Sequence, residues 1–379
     1  MRSVVLLTIL SLISVSAYPS SPRGRERRGT SVIDVLSQDR RFSKFLDSLS
    51  RNRGLADDLD DPRQEVTVFA PTNEAYERAR EELQGRRPRA DAEDIWRYHF
   101  TPLFADSVSL RRVKLLPTQL QLRSLNGEEQ KIRVVNRNNK IYLNGEVLLQ
   151  DTDIEADNGI VHAVDEILFP PASSSEILFK RPYQFSTLSS ALQITNLERL
   201  LDAEDGVTVF APTNTAFRKL GCRALQYLFS DLGQRDLRKI IEYHISPELV
   251  YSIDLKSYGR RRGGERGGEQ DGDRRYRKLT DQGQDDVDTA LWKGDDYEDR
   301  RDYPQQVVDL PTMLRGKYIT VQLRNGHYSR SNILVNNEAN VVFSDTVAKN
   351  GVIHAIDELL IPDGIDIPEL DFFDDEGMC

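Results

Sequence analysis

The chain has 379 residues, 39% of them hydrophobic, enough for two domains that each bury a core. Its formal net charge of −10 argues against a general nucleic-acid binder, which needs a basic face to displace counterions. Only Cys222 and Cys379 are present, so the fold is not built on many disulfides; these two could bond and tie down the C-terminus, or stay as thiols.

Residues 1–17 have the make-up of a secretory signal peptide: Arg2, an apolar run from Val4 to Val15, and small residues at Val15-Ser16-Ala17. The run is shorter than the ~20 residues of a spanning helix. No later segment is apolar enough, so no transmembrane span is expected in the mature chain. Residues 18–28 form a basic linker or propeptide, in which Arg25-Glu26-Arg27-Arg28 has the dibasic spacing that kexin-type proteases cut. No Asn-x-Ser/Thr acceptor for N-linked sugars occurs.

From Ser31 to Leu49, apolar residues at 32, 35, 36, 42, 45, 46 and 49 predict a helical stripe with one break. Val66-Thr67-Val68-Phe69 predicts a buried strand, ended by Ala70-Pro71. Thr72-Asn73 offers the cap of a following helix, with Tyr76 facing the core from its first turn. Tyr98-His99 falls near a helix end, where a cation or a hydrogen bond to free carbonyls is favoured. Strands follow at Lys131 to Val135 and Lys140 to Leu143 around a turn-prone Asn136 to Asn139, then a hairpin signal at Asn144-Gly145. Asn158-Gly159 leads into a last strand that carries His162.

All of this comes a second time. EVTVFAPTNEAY (from Glu65) returns as GVTVFAPTNTAF (from Gly206), with Asn214 in the place of Asn73 and Phe217 in that of Tyr76. IWRYHFTP returns as IIEYHISP with His244, LLPTQL as DLPTML, and DNGIVHAVDEILFP as KNGVIHAIDELLIP with His354. The offset between copies is 141 residues at the first block, 145 at the second, then 194 and 192. Copy 2 therefore holds a charged, glycine-rich insertion at about 252–306, too poor in apolar residues to fold by itself. An acidic tail, 364–379, closes the chain. Each unit reads as α+β, with helices in its first half and an antiparallel sheet in its second.

Alternation along the last strand puts His162 with Ile160 and Val164, and His354 with Val352 and Ile356, among apolar neighbours. The expected role of His162, His354 and His244 is structural, a buried imidazole with one or two hydrogen bonds, as it is for Asn73 and Asn214. Zinc needs three or four ligands, and no third ligand recurs at sensible spacing. No nucleophile elbow, P-loop or dinucleotide fingerprint occurs. Neither catalytic residues, a metal nor a cofactor is assigned. A metal-dependent hydrolase built on the repeated histidines is the enzymatic alternative.

The blocks T-V-F-A-P-T-N-x-A-Y/F, Y-H and N-G-x-x-H-A-x-D-x-x-L-x-P, in this order in both copies, resemble the signature regions of the fasciclin domain. The resemblance covers roughly 29–171 and 176–363. It implies two tandem fasciclin-like domains, each a wedge or sandwich of antiparallel strands with helices packed around it. It implies secreted or surface proteins of adhesion and extracellular matrix, without catalytic residues. In animal members an Asp-Ile pair ahead of the NG strand and the Tyr-His region are linked with integrin recognition. Asp153, Ile154, Tyr98 and His99 are therefore the candidate partner-binding residues; copy 2 has Asp345-Thr346 in place of the pair. The two-domain layout is similar to that of fungal fasciclin proteins, some associated with the vacuole. The implied partner is a protein or glycan of the matrix, cell wall or vacuole, not a nucleic acid. The implied location is secreted, with the vacuole as alternative.

Overall fold

The structure is a computed structural model and describes residues 30–84, 88, 90–255, 306–324 and 332–367. The expected leader (1–17), the linker 18–28 and the tail beyond residue 367 lie outside the described residues. So does Cys379, and with it the Cys222–Cys379 pairing.

Helices open each unit, as the periodicity predicts. Ser31 starts the helix Val32–Gln38 with a capping box: its hydroxyl accepts from Asp34 N–H, and the Asp34 carboxylate accepts from Ser31 N–H. The stripe breaks at Asp39, whose extended backbone turns the chain into the helix Ser43–Ser50. Val32, Leu36, Phe42, Phe45 and Leu49 are all buried. A further helix, Arg53–Asp60, buries Leu55 and Leu59 and has too short an apolar pattern to be read from sequence.

The strands of the first unit are β1 (Val66–Pro71), β2 (Phe100–Thr101), β3 (Leu115–Gln121), β4 (Glu129–Arg137), β5 (Lys140–Leu143), β6 (Val147–Leu148), β7 (Ile154–Ala156) and β8 (Gly159–Val164). They form two four-stranded sheets, ordered β2-β1-β8-β7 and β3-β4-β5-β6. The second unit has β9 (Val207–Pro212), β10 (Ile245–Ser246), β11 (Gln306–Pro311), β12 (Tyr318–Arg324), β13 (Asn332–Val335), β14 (Ala339–Ala348) and β15 (Gly351–Ile356). Here one seven-stranded sheet runs β10-β9-β15-β14-β13-β12-β11, because the longer β14 joins what the first unit keeps apart as β6 and β7.

Most pairings are antiparallel, and the expected turns are present. Asn138-Asn139, Asn144-Gly145 and Asn336-Asn337 have positive φ at both positions, the geometry of the tight hairpin turn. The pairing of the first and last strands of each unit, β1 with β8 and β9 with β15, is parallel. A parallel pair has no turn between its strands to announce it.

The insertion begins later than the composition suggests. Ser252 donates from its N–H and its hydroxyl to the Asp345 carboxylate, and Leu255 is buried. Residues 252–255 thus belong to the second domain, and the remaining stretch to 305 lies outside the described residues.

The domains meet along an apolar seam. Leu115 of the first packs with Tyr251, Val347 and Val352 of the second, flanked by Leu249 and Ile253. Gln130, fully buried, donates from Nε2 to Ala348 O at 2.8 Å. Ser124 donates to Lys349 O and accepts from Gly206 N–H. Lys131 Nζ lies 4.1 Å from the centre of the Tyr251 ring, and the Arg133 guanidinium 4.0 Å from that of Phe343.

Candidate functional site

The repeated histidines make a matched framework inside each domain. His162 Nε2–H donates to Ala105 O at 2.8 Å, and its Nδ1 accepts from Asp153 N–H at 3.2 Å. His354 does the same with Val250 O at 3.0 Å and Asp345 N–H at 3.3 Å. Phe69 and Phe210 pack against these rings, with centroids 5.7 Å away. His99 uses the opposite tautomer: Nδ1–H donates to Ile95 O at 2.8 Å and Nε2 accepts from Leu168 N–H at 3.0 Å. His244 repeats it with Ile240 O and Leu360 N–H.

Each ring thus has one donor and one acceptor, both satisfied by backbone, which requires neutral imidazole. Burial lowers the pKa of His99 and His244 to about 4 and lowers that of His162. The cation that a helix end would favour at His99 is therefore disfavoured, because desolvation outweighs the hydrogen bond to Ile95 O. Among the described residues no group of three or more His, Cys, Asp or Glu side chains is placed to hold a metal ion.

The rest of the repeated motif is architectural too. Asn158 accepts from Val32 N–H and donates to Leu59 O, stapling the opening helices to the sheet. Asn350 accepts from Ser174 and donates to Leu201 O. A Cβ on Gly159 would lie 2.0 Å from Val66 O, and one on Gly351 2.1 Å from Val207 O, so only glycine lets the parallel strands approach. Asp165 and Asp357 accept from the N–H groups of Leu148 and Asn340. Thr72 and Thr213, rather than the asparagines that follow, cap their helices. Asn73 instead bridges Arg40 O and Lys44 N–H, and Asn214 bridges Pro182 O and Thr187 N–H.

Of the four candidate partner-binding residues, two are out of reach. Tyr98 and His99 are fully buried, Tyr98 donating to Lys131 O and accepting from Asn144 Nδ2. Tyr243 repeats this with Tyr318 O and Asn336. Asp153 and Ile154 are half-buried at the surface. Asp153 sits at φ 63°, its carboxylate accepting from Ser107 N–H at 2.7 Å. Burial pushes the Asp153 pKa up, but the Ser107 hydrogen bonds prevail and hold it below the usual carboxylate range. Its counterpart Asp345, at φ 60°, is held by Ser252 in the same way.

Around Asp153 the copies diverge. Phe104 and Val108, on either side of Ser107, are 48% and 56% exposed. Their counterparts, at the same distances from His244, are Leu249 and Ile253, which are part of the domain seam. Asp153 joins segment 104–108 through Ser107; exposed Asp151, Glu155 and Asp157 flank it along the chain, and Arg41 pairs with Asp151. Periodicity cannot find this patch, since Phe104 and Leu249 look alike in sequence; only the seam separates them.

The family model of the Fasciclin domain matches residues 40–170, 183–277 and 296–362. The chain belongs to the fasciclin-domain family. The gap in the second match lies inside the insertion of this fasciclin protein. It is 28% identical to "Aurofusarin biosynthesis cluster protein S" of Gibberella zeae, over 87% of this chain and 77% of that one. It is 32% identical to "Transforming growth factor-beta-induced protein ig-h3" of Sus scrofa over 45% of this chain, and the match spans about a quarter (26%) of that protein. The FAS1 domain pair of the insect cell adhesion molecule Fasciclin I aligns over 85% of this chain and 97% of that one, with 19% identity and a TM-score of 0.40. No helix among the described residues is long and apolar enough to cross a membrane.

Proposed function

We propose that this fasciclin protein is a non-enzymatic interaction module of the secretory route, acting in the matrix, cell wall or vacuolar lumen. A protein or glycan partner engages the first domain at Phe104, Val108 and Ile154, next to Asp153 and its acidic flanks. One observation carries this reading: the equivalent surface of the second domain is already used to hold the first, while this copy stays open. The histidines, with both nitrogens bonded to backbone, favour adhesion over the hydrolase alternative.

The test is retention of purified protein on wall and matrix fractions. Phe104→Asp with Val108→Asp is expected to weaken retention at least about tenfold, the scale of losing apolar anchors in a contact. The melting temperature should not change. Retention equal to the parent chain would overturn the assignment. A second reading rests on the Gibberella zeae relative, which matches across both domains and is named for a biosynthesis cluster. The same patch would then hold a pathway enzyme, and the fraction that retains the protein separates the two.

A further inference from the structure

A cleft of about 340 Å³ opens where the two domains meet, within the range of small-ligand sites. Two guanidinium groups line it, Arg133 from β4 and Arg181 from the segment that enters the second domain. Both are half-buried. Among the described residues neither has an ion pair or a side-chain hydrogen bond; Arg133 rests on the Phe343 ring, and its pKa is lowered chiefly by burial, with Asp345 raising it and Arg181 lowering it. Neither guanidinium is hydrogen-bonded to a carboxylate of the described residues, and a ligand carboxylate bridging the two would supply that partner.

The rest of the lining is different. It carries Glu82, Glu146 and Glu166, close enough that Glu82 and Glu146 both raise the pKa of Glu166, which burial raises first. Arg78 stands among them and offsets part of their charge. The carboxylates of such a lining are acceptors for the hydroxyl groups of a ligand. Phe343, which carries the Arg133 guanidinium over its ring and is 37% exposed, adds an apolar surface to the lining.

We propose that this cleft binds a carboxylated sugar, a hexuronate unit, with its carboxylate on Arg133 and Arg181, its ring against Phe343, and its hydroxyls donating to Glu82 and Glu146. The site is separate from the Phe104 patch, and each proposal can fail without the other.

Calorimetric titration of the full chain with sodium galacturonate tests it, with galactose as neutral twin and sodium sulfate as bare anion. Saturable galacturonate binding is expected, with galactose and sulfate each at least about tenfold weaker, the scale of a lost charge-assisted pair. Arg181→Gln should weaken galacturonate by a similar factor at unchanged melting temperature. Arg133→Gln should do the same, but it also touches the seam, so Arg181→Gln is the deciding variant. The proposal is overturned by no saturable binding, by equal binding of galactose or sulfate, or by an unaltered response in Arg181→Gln.

Discussion

His99 illustrates how much of the structure depends on single neutral rings. Replacing it by alanine leaves Ile95 O and Leu168 N–H without partners in a sealed core, and should cost about 3 kcal/mol in urea unfolding. The same rings make stability depend on pH. The unfolded chain takes up a proton at His99 and His244 as pH falls below their ordinary value of 6.5, whereas the folded chain refuses it until about 4. Their contribution is therefore intact above pH 6.5 and lost between 6.5 and 4, at about 1.4 kcal/mol per pH unit for each. Unfolding free energy should be about 4 kcal/mol lower at pH 5 than at pH 7. The pair of substitutions His99→Gln and His244→Gln should flatten that slope; an unchanged slope would assign it to other groups. The buried setting of His162 and His354 was legible from alternation and from their apolar neighbours, whereas His99 was read as a candidate partner-binding residue, because the Tyr-His motif does not reveal that both rings are sealed in the core. The tautomers were not legible, because these are set by backbone groups far away in sequence, such as Ala105 O and Leu168 N–H.

At the scale of elements, the NG pair that opens β8 and β15 reads locally as a turn. Its larger role is tertiary, with asparagine stapling helices and glycine admitting the parallel neighbour. Gly159→Ala should force β1 and β8 apart and cost at least about 3 kcal/mol, as overpacking against backbone does. Gly145→Ala, with positive φ but no atom within 4 Å of a Cβ, should cost only about 1 kcal/mol. Equal losses in chemical denaturation would refute the distinction. Hairpins, caps and the interrupted opening helix were readable because their causes are local, as at Thr72-Asn73 and Asn144-Gly145. The parallel pairs and the helix Arg53–Asp60 were not: the first have no intervening turn signal, and the second places only Leu55 and Leu59 in the core.

For the whole molecule, the seam joins the two domains through Leu115, Gln130 and the Leu249–Ile253 face. Thermal unfolding should show one transition in the parent chain and two after Leu249→Asp, which places a charge in that seam. Phe104→Asp, at the matching position of the other copy, should leave a single transition. The seam is directional. Leu115 in β3 corresponds to Asp309 in β11, where Thr320 donates to the Asp309 carboxylate, so the second domain offers no equal surface to a third module. Among the described residues the Phe104 face therefore has no twin in the second domain, so under the proposed function this patch supplies one contact per chain, apart from the cleft between the domains. Through that patch alone a chain would coat a surface or cap an array without bridging two, and bridging would need either the cleft as a second contact or a multivalent partner.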